Sequence, residues 1–190
     1  MLGAYILPLW HILLEAPQYP EGLEMKIWLN GLSGNIDQIN GLNHYIGMKH
    51  IVIDDFREFK ILPYVFGALL LLGVVAVIVK SRKLAMVWFV SLCLFGVVGF
   101  SDFYVWEYNY GHHLNPHAAI KVEGMNYQPP LVGYKQLLNF TAGSLPDTGG
   151  ILVGLGGVCA ALALVKRSKP SLNTTNEKDL HTHNPEHFVA

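Results

Sequence analysis

Charged residues are scarce in this chain of 190 residues. Asp, Glu, Lys and Arg together make up 14% of it, against about 25% in ordinary soluble domains. Hydrophobic residues make up 52%, so the composition predicts a membrane protein. A basic excess is also missing, because 13 Lys and Arg stand against 14 Asp and Glu, for a net charge of -1. Without spare positive charge to neutralise phosphates, nucleic acid is not expected as a partner.

Cysteine is almost absent, with only Cys93 and Cys159, each inside an apolar run. This excludes a disulfide framework and a thiolate zinc site, which need closely spaced or numerous cysteines. The sequence also lacks a glycine-rich phosphate loop, a nucleophile elbow and a Ser-His-Asp order. Enzymes of those classes are therefore not expected, and we predict an accessory membrane protein rather than an enzyme.

Three long runs with almost no charge predict membrane-spanning helices. Residues 61–79 would span about 28 Å as a helix, close to the thickness of a bilayer core. A second helix is predicted at residues 84–106, where the final aromatic residues are typical of a membrane interface. A third is predicted at residues 149–165, in which Gly150 and Gly154 would let a neighbouring helix approach closely. Residues 1–14 are predicted as a short or partial membrane helix.

Lysine and arginine indicate the orientation, because cytoplasmic loops carry an excess of both. The predicted link at residues 80–83 and the stretch at residues 166–169 are basic and contain no acid. We therefore expect a multi-pass protein of the inner (plasma) membrane, with residues 15–60 and 107–148 as large loops on the periplasmic side. The polar tail, residues 166–190, is predicted to be a disordered cytoplasmic segment.

The two predicted loops are too apolar and aromatic for solvated linkers, so we expect them to fold against each other as a compact extracytoplasmic cap. Within the first loop, Ile36, Ile39, Leu42 and Ile46 recur at three- and four-residue intervals and predict a helix near residues 37–46. The predicted fold class is thus an all-α membrane protein with three to four transmembrane helices and this cap.

Histidine is the residue type most indicative of a site. Six of the nine histidines fall at or beyond the predicted outer face of the membrane: His11, His44, His50, His112, His113 and His117. Neutral imidazole binds copper, zinc and iron, while methionine thioether selects cuprous copper. Histidine with methionine and without cysteine therefore points to copper before zinc.

A metal site bridging the two loops would draw on both. The predicted ligands are His44, Met48, His113, His117 and Met125, with His44 and Met48 one helical turn apart. The alternative interpretation is that each histidine forms an ordinary hydrogen bond and each methionine fills a gap. The spacing matches no compact metal motif such as His-Glu-x-x-His.

Two acids lie at the end of the second predicted span, Asp102 within its last turns and Glu107 directly after it. One interpretation makes them carboxylate partners that orient a ligating histidine. The other has them facing water at the interface, with Lys121 or Lys135 nearby. We expect Glu107 to face water and leave both interpretations open for Asp102.

Several longer stretches support a resemblance to a known family. They include Pro8-Leu9-Trp10-His11, Asn43-His44-Tyr45-Ile46-Gly47-Met48, Tyr110-Gly111-His112, Gly124-Met125-Asn126-Tyr127-Gln128-Pro129-Pro130-Leu131 and Lys135-Gln136-Leu137-Leu138-Asn139-Phe140. With these motifs the chain resembles, over residues 5 to about 150, a family of small integral membrane proteins found in clade II nitrous oxide reductase gene clusters.

This resemblance implies work with a periplasmic multicopper reductase, either delivering copper during its maturation or anchoring its electron supply. The first hypothesis is therefore an accessory protein, a metallochaperone in the broad sense, that handles copper for nitrous oxide reductase or its maturation proteins. The alternative is a structural or electron-transfer subunit that docks a redox partner or a quinol and holds no metal. An autonomous membrane oxidoreductase would need a haem or flavin site, which the sequence does not reveal.

Overall fold

The computed structural model describes residues 1–166 and contains five strands and four helices. The strands are β1 (Trp10–Ala16), β2 (Tyr19–Trp28), β3 (Gly31–Gly34), β4 (Gly133–Leu137) and β5 (Phe140–Pro146). The helices are α1 (Ile36–Ile46), α2 (Glu58–Val79), α3 (Arg82–His112) and α4 (Thr148–Lys166), and short 3₁₀ segments lie at Leu2–Tyr5 and Ile53–Asp55. The tail that was predicted to be disordered lies outside the described residues, apart from Lys166.

The predicted all-α fold is wrong, because the strands form one antiparallel sheet in the order β3-β2-β1-β5-β4. Of residues 1–166, 54% are helical and 20% are in strands, which makes this a mixed α/β fold. Residues 1–14 do not form a membrane helix: they contain the segment Leu2–Tyr5 and most of β1. A short apolar run fits a buried strand as well as a helix, and Trp10, Ile12 and Leu14 of β1 are apolar because they face the core.

The sheet joins the two segments that were predicted as separate loops. β1 pairs on one side with β2 and on the other with β5, so Ile12 lies opposite both Met25 and Ser144. Most of β1 lies in residues 1–14, so it links β2 of the first predicted loop to β5 of the second. The two loops also touch directly, because the Asn115 amide donates to the Gly47 carbonyl. The β1–β2 hairpin turns at Pro17 and Gln18, where the fixed φ of proline suits the first central position of a tight turn.

One face of the sheet carries the main core. Ile12, Leu23 and Met25 are buried there against Ile39 of α1 and Tyr110 of α3. Burying each large apolar side chain stabilises the fold by about 1.5 to 3 kcal/mol. The helix predicted near residues 37–46 is present as α1, and its apolar positions fix it to this face. We call the five strands, α1 and the last turns of α3 the sheet domain.

The other part of the molecule, the helix bundle, consists of α2, α3 and α4. These three helices are long and apolar enough to cross a membrane, and most of their side chains are not covered by the rest of the protein. A sharp link joins α2 to α3: Lys80 adopts φ 54°, and the Ser81 hydroxyl accepts a hydrogen bond from the Leu84 amide at 3.4 Å. The predicted spans, residues 61–79, 84–106 and 149–165, all fall within these helices.

Helix α3 connects the two parts. Its 31 residues extend about 46 Å, longer than the roughly 30 Å of a bilayer core. Near its C-terminus, Phe103, Trp106 and Tyr110 pack against the core of the sheet domain. The last turns of α3 therefore belong to the sheet domain rather than to the spanning part of the bundle.

Helix α4 begins against the chain that leads into β1. The Gly149 amide donates to the Pro8 carbonyl at 2.8 Å, and a Cβ at Gly149 would lie 2.7 Å from that oxygen. Gly150 is equally crowded by the backbone of Leu9, whereas Gly154 has open space around it. The sequence predicted that a neighbouring helix approaches Gly150 and Gly154 closely. At Gly150 the close neighbour is instead the extended segment around Leu9.

Candidate functional site

An open cavity lies where the end of α1 meets the segment that follows α3. Its volume is about 400 Å³, and the side chains that matter chemically come from both stretches of chain. They are His44, Met48, Lys49, His50, His113 and Asn115. A concave surface of this size with convergent polar groups is where a ligand site is expected.

The end of α1 is shaped by one glycine. Gly47 ends the helix with φ 80°, a left-handed conformation that glycine adopts without steric cost. The Met48 amide then donates to the Asn43 carbonyl at 2.9 Å. This turn places Met48 beside His44, which lies in the last turn of α1.

The segment after α3 is tied to α1 by its backbone. The Asn115 amide donates to the Gly47 carbonyl at 2.8 Å, and the Ile120 amide donates to the Tyr45 carbonyl at 2.9 Å. A Cβ at Gly47 would lie 2.8 Å from Cβ of Ala118, so the absence of a side chain permits this close approach. These contacts bring His113 to the cavity.

A second set of hydrogen bonds fixes the backbone around His50. The Asn40 side chain accepts from the Ile51 amide at 2.6 Å and donates to the Ile51 carbonyl at 3.0 Å. The Asn43 amide group donates to the Lys49 carbonyl at 3.3 Å, and the Tyr110 hydroxyl donates to the His50 carbonyl at 3.2 Å. These hydrogen bonds fix the backbone of residues 49–51, part of which forms one wall of the cavity.

The imidazole rings of His44 and His50 lie 6.1 Å apart between centroids, at an angle of 86°. A metal held about 2.0 Å from one nitrogen of each ring separates the centroids by about 5 to 6 Å, so this spacing is compatible with two histidine ligands. His44, His50 and His113 are exposed, and Met48 is half-buried. The cavity thus offers imidazole nitrogen and thioether sulfur to the surface.

The structure brings together three of the five predicted ligands, His44, Met48 and His113. His117 and Met125 belong to the same segment as His113 but do not line this cavity. His50 does, although the predicted set omits it. Within residues 1–166, no group of three or more His, Cys, Asp or Glu side chains is arranged to hold a metal ion. A metal here would accordingly need the Met48 sulfur or a small movement of the rings.

Two other histidines have structural partners. The His112 ring stacks on Tyr108 with centroids 4.0 Å apart, and its Nδ1 lies 3.1 Å from the Tyr108 carbonyl oxygen. His11 Nδ1 lies 3.5 Å from an oxygen of Asp147. Burial alone would raise the pKa of Asp147, but hydrogen bonds from Thr148 and the charges of His11 and Lys26 lower it below its usual range.

The expectation that Glu107 faces water is wrong, because its side chain is 0% exposed. It lies on the last turns of α3, one turn before Gly111, which packs against the backbone of Gln128. Asp102, one turn and a half earlier, is exposed. The local sequence around Asp102 and Glu107 does not show which of the two acids is buried. Burial here depends on contacts with residues that come much later in the chain.

Comparison of the chain with known protein families, with curated proteins and with solved structures found no match.

Proposed function

We propose that this protein is a membrane accessory protein whose sheet domain binds cuprous copper as cargo and passes it to a periplasmic copper enzyme. The observation that carries this proposal is the cavity in which His44, Met48, His50 and His113 meet. Imidazole and thioether are the ligand pair that favours Cu(I) over harder ions.

The exposure of the ligands supports transfer rather than permanent storage. Three histidines that reach the surface are accessible to the ligands of a partner, so a metal could be exchanged without unfolding the domain. The hydrogen bonds from Asn40 and Asn43 behind the cavity wall reduce the ordering cost of binding, because the backbone that carries Met48 and His50 is already fixed.

Sequence features support the proposed membrane orientation and the proposed partner. The basic link at residues 80–83 and Lys166 lie at the ends of the helices remote from the sheet domain, which favours a periplasmic sheet domain by the positive-inside rule. The resemblance to proteins of nitrous oxide reductase clusters supports that reductase, or a protein that matures it, as the recipient.

Anaerobic titration of the purified, detergent-solubilised protein with Cu(I), in competition with a chromogenic chelator, tests the proposal. We expect one tightly bound Cu(I) per chain, and a loss of at least about tenfold in affinity for His44→Ala combined with Met48→Ala, since each change removes a ligand. Zn(II) should bind more weakly than Cu(I) because the set includes a thioether.

The matched control is His117→Ala combined with Met125→Ala, which removes the same two residue types from outside the cavity. This variant should bind Cu(I) like the wild type. Equal affinity in all three proteins, or no Cu(I) binding at all, would contradict the proposal and favour a docking role for the sheet domain.

A further inference from the structure

Glu107 stands out among the buried groups of residues 1–166. Both of its carboxylate oxygens are buried without a hydrogen-bond partner, and so is the hydroxyl of Tyr127. Transferring an ionised carboxylate to such a place is very costly unless a cation or several donors compensate it. The position therefore favours the neutral carboxylic acid, which carries its own proton.

The charged group that acts on Glu107 from the sheet is Lys135 of β4. Its ammonium group donates to the Gln128 carbonyl at 3.1 Å, and its side chain is exposed. Lys135 thus lies near the carboxyl without forming an ion pair with it, and an exposed ammonium offsets little of the cost of burying a charge.

Beside Glu107, α3 packs against a short stretch of the segment that follows it. Gly111 lies one turn beyond Glu107 on the same side of α3. The Tyr127 amide donates to the Gly111 carbonyl at 3.0 Å, and a side chain at Gly111 would collide with the backbone of Gln128. This close fit lies one turn from the carboxyl, so a movement of the segment away from α3 would open a path for water to it.

The same segment reaches the cavity. Its first part is bonded through Asn115 to Gly47 and through Ile120 to Tyr45, and it carries His113. We call residues 113–128 the covering segment. A movement that exposes Glu107 would pull on a stretch of chain that also forms one wall of the cavity.

We propose that Glu107 is a proton-binding site that controls the docking of the covering segment on α3. With the proton bound, the neutral carboxyl is buried and the segment is docked, which keeps His113 at the cavity that His44 also lines. When the O–H bond ionises, the proton passes to solvent, and the carboxylate is hydrated only after the segment has lifted. The inference goes beyond copper handling and holds for the metal-free protein.

Hydrogen–deuterium exchange of the metal-free, full-length protein tests the inference. Exchange in residues 113–128 is measured at about pH 6 and about pH 9 and corrected for the intrinsic effect of pH on amide exchange. In the wild type we expect protection to fall by at least about tenfold at the higher pH, because a buried acid that must ionise destabilises the docked state as pH rises. Glu107→Gln should keep its protection at both values.

Glu123→Gln is the matched control, since Glu123 is an exposed carboxyl of the covering segment, and it should behave like the wild type. Equal pH dependence in Glu107→Gln and the wild type would overturn the inference. Copper is absent from the experiment, so its outcome is independent of the Cu(I) titration.

Infrared spectroscopy keeps the inference testable if Glu107→Gln does not fold. Exposed carboxyls are ionised at about pH 6, so a carbonyl band of a protonated carboxylic acid at that pH should come from Glu107. We expect the band in the wild type and in Asp102→Asn at about pH 6, and its loss at about pH 9. No such band at about pH 6 would refute a bound proton.

Discussion

In the sheet domain, Ile12 and Met25 are 3% and 2% exposed, whereas Val77 and Ile78 at the end of α2 are 76% and 72% exposed. The chain therefore uses similar apolar side chains in two opposite ways. In the sheet domain they are buried against one another, and in the helix bundle they face outward, which in a bilayer means lipid. The difference teaches that sequence hydrophobicity alone does not say what an apolar residue contacts.

The largest effect is expected when an apolar side chain of the core is truncated and compared with one on the exposed face of the bundle. Ile12→Ala removes a buried side chain from the central strand, and we expect it to destabilise the protein by about 2 to 5 kcal/mol through lost burial and a residual cavity. Ile78→Ala, on the exposed face of α2, should change stability by less than about 0.5 kcal/mol. Urea unfolding in mild detergent, followed by tryptophan fluorescence, measures both. A similar loss for the two variants would mean that the bundle, too, depends on tight packing at that position.

A pair of glycines in and just after α1 sharpens the comparison within the sheet domain. Gly47→Ala should destabilise it by about 1 to 2 kcal/mol, because alanine is disfavoured at φ 80° and its Cβ would crowd Ala118. Gly41→Ala, inside the same helix with open space around it, should stabilise by about 0.5 to 1 kcal/mol. The melting temperature and the Cu(I) affinity are measured for both variants. Gly47→Ala should lower both quantities, and Gly41→Ala should leave the affinity unchanged. A neutral Gly47→Ala would show that the covering segment is not tied to α1 as described.

A smaller loss of stability than at Gly47 is expected at Asp147, which lies directly before α4. Its carboxylate accepts hydrogen bonds from the amide and hydroxyl of Thr148 at 2.5 and 3.0 Å, so Asp147→Asn should cost about 0.5 to 1 kcal/mol near neutral pH. The pKa of Asp147 is lowered in the folded protein, so the stabilisation is present above the ordinary aspartate value of 3.8. It is lost as pH falls through the lower value of the folded state.

Denaturant titrations of the wild type and Asp147→Asn at a series of pH values measure this linkage. The two curves should converge at the acid end, and a constant difference at all pH values would contradict the assignment. Glu15→Gln, at a carboxyl of β1, is a suitable control. Its difference in stability from the wild type should not disappear at acid pH in this way.

The three long helices could be predicted from the sequence because the signal is local: an apolar run of sufficient length is enough. The strands could have been recognised only in part. In β2, Leu23, Met25 and Ile27 alternate with Glu24 and Lys26, which is the period of a half-buried strand. In β1, Trp10, Ile12 and Leu14 of the core alternate with His11, Leu13 and Glu15. Leu13 interrupts this alternation, and the apolar residues before Trp10 extend the strand into a run that resembles a membrane helix.

The candidate site divides in the same way. His44 and Met48 were predictable as neighbours because they lie four residues apart at the end of a helix. His113 joins them only through hydrogen bonds between the covering segment and Gly47, and no local pattern encodes such a contact. The burial of Glu107 escaped prediction for the same reason, since Tyr127 and Gln128, which pack against the next turn of α3 at Gly111, are remote in sequence.

The position of β1 at the centre of the sheet has a consequence for biosynthesis. One of its partners, β2, leaves the ribosome next, but the other, β5, follows only after both α2 and α3 have been made. One edge of β1 therefore stays unpaired while two hydrophobic helices are inserted, and pairing across so long a stretch of chain is slow. Until translation reaches Phe140, the nascent protein exposes an unpaired strand edge that favours aggregation. Its maturation therefore depends on membrane insertion of α2 and α3 at a rate that matches synthesis.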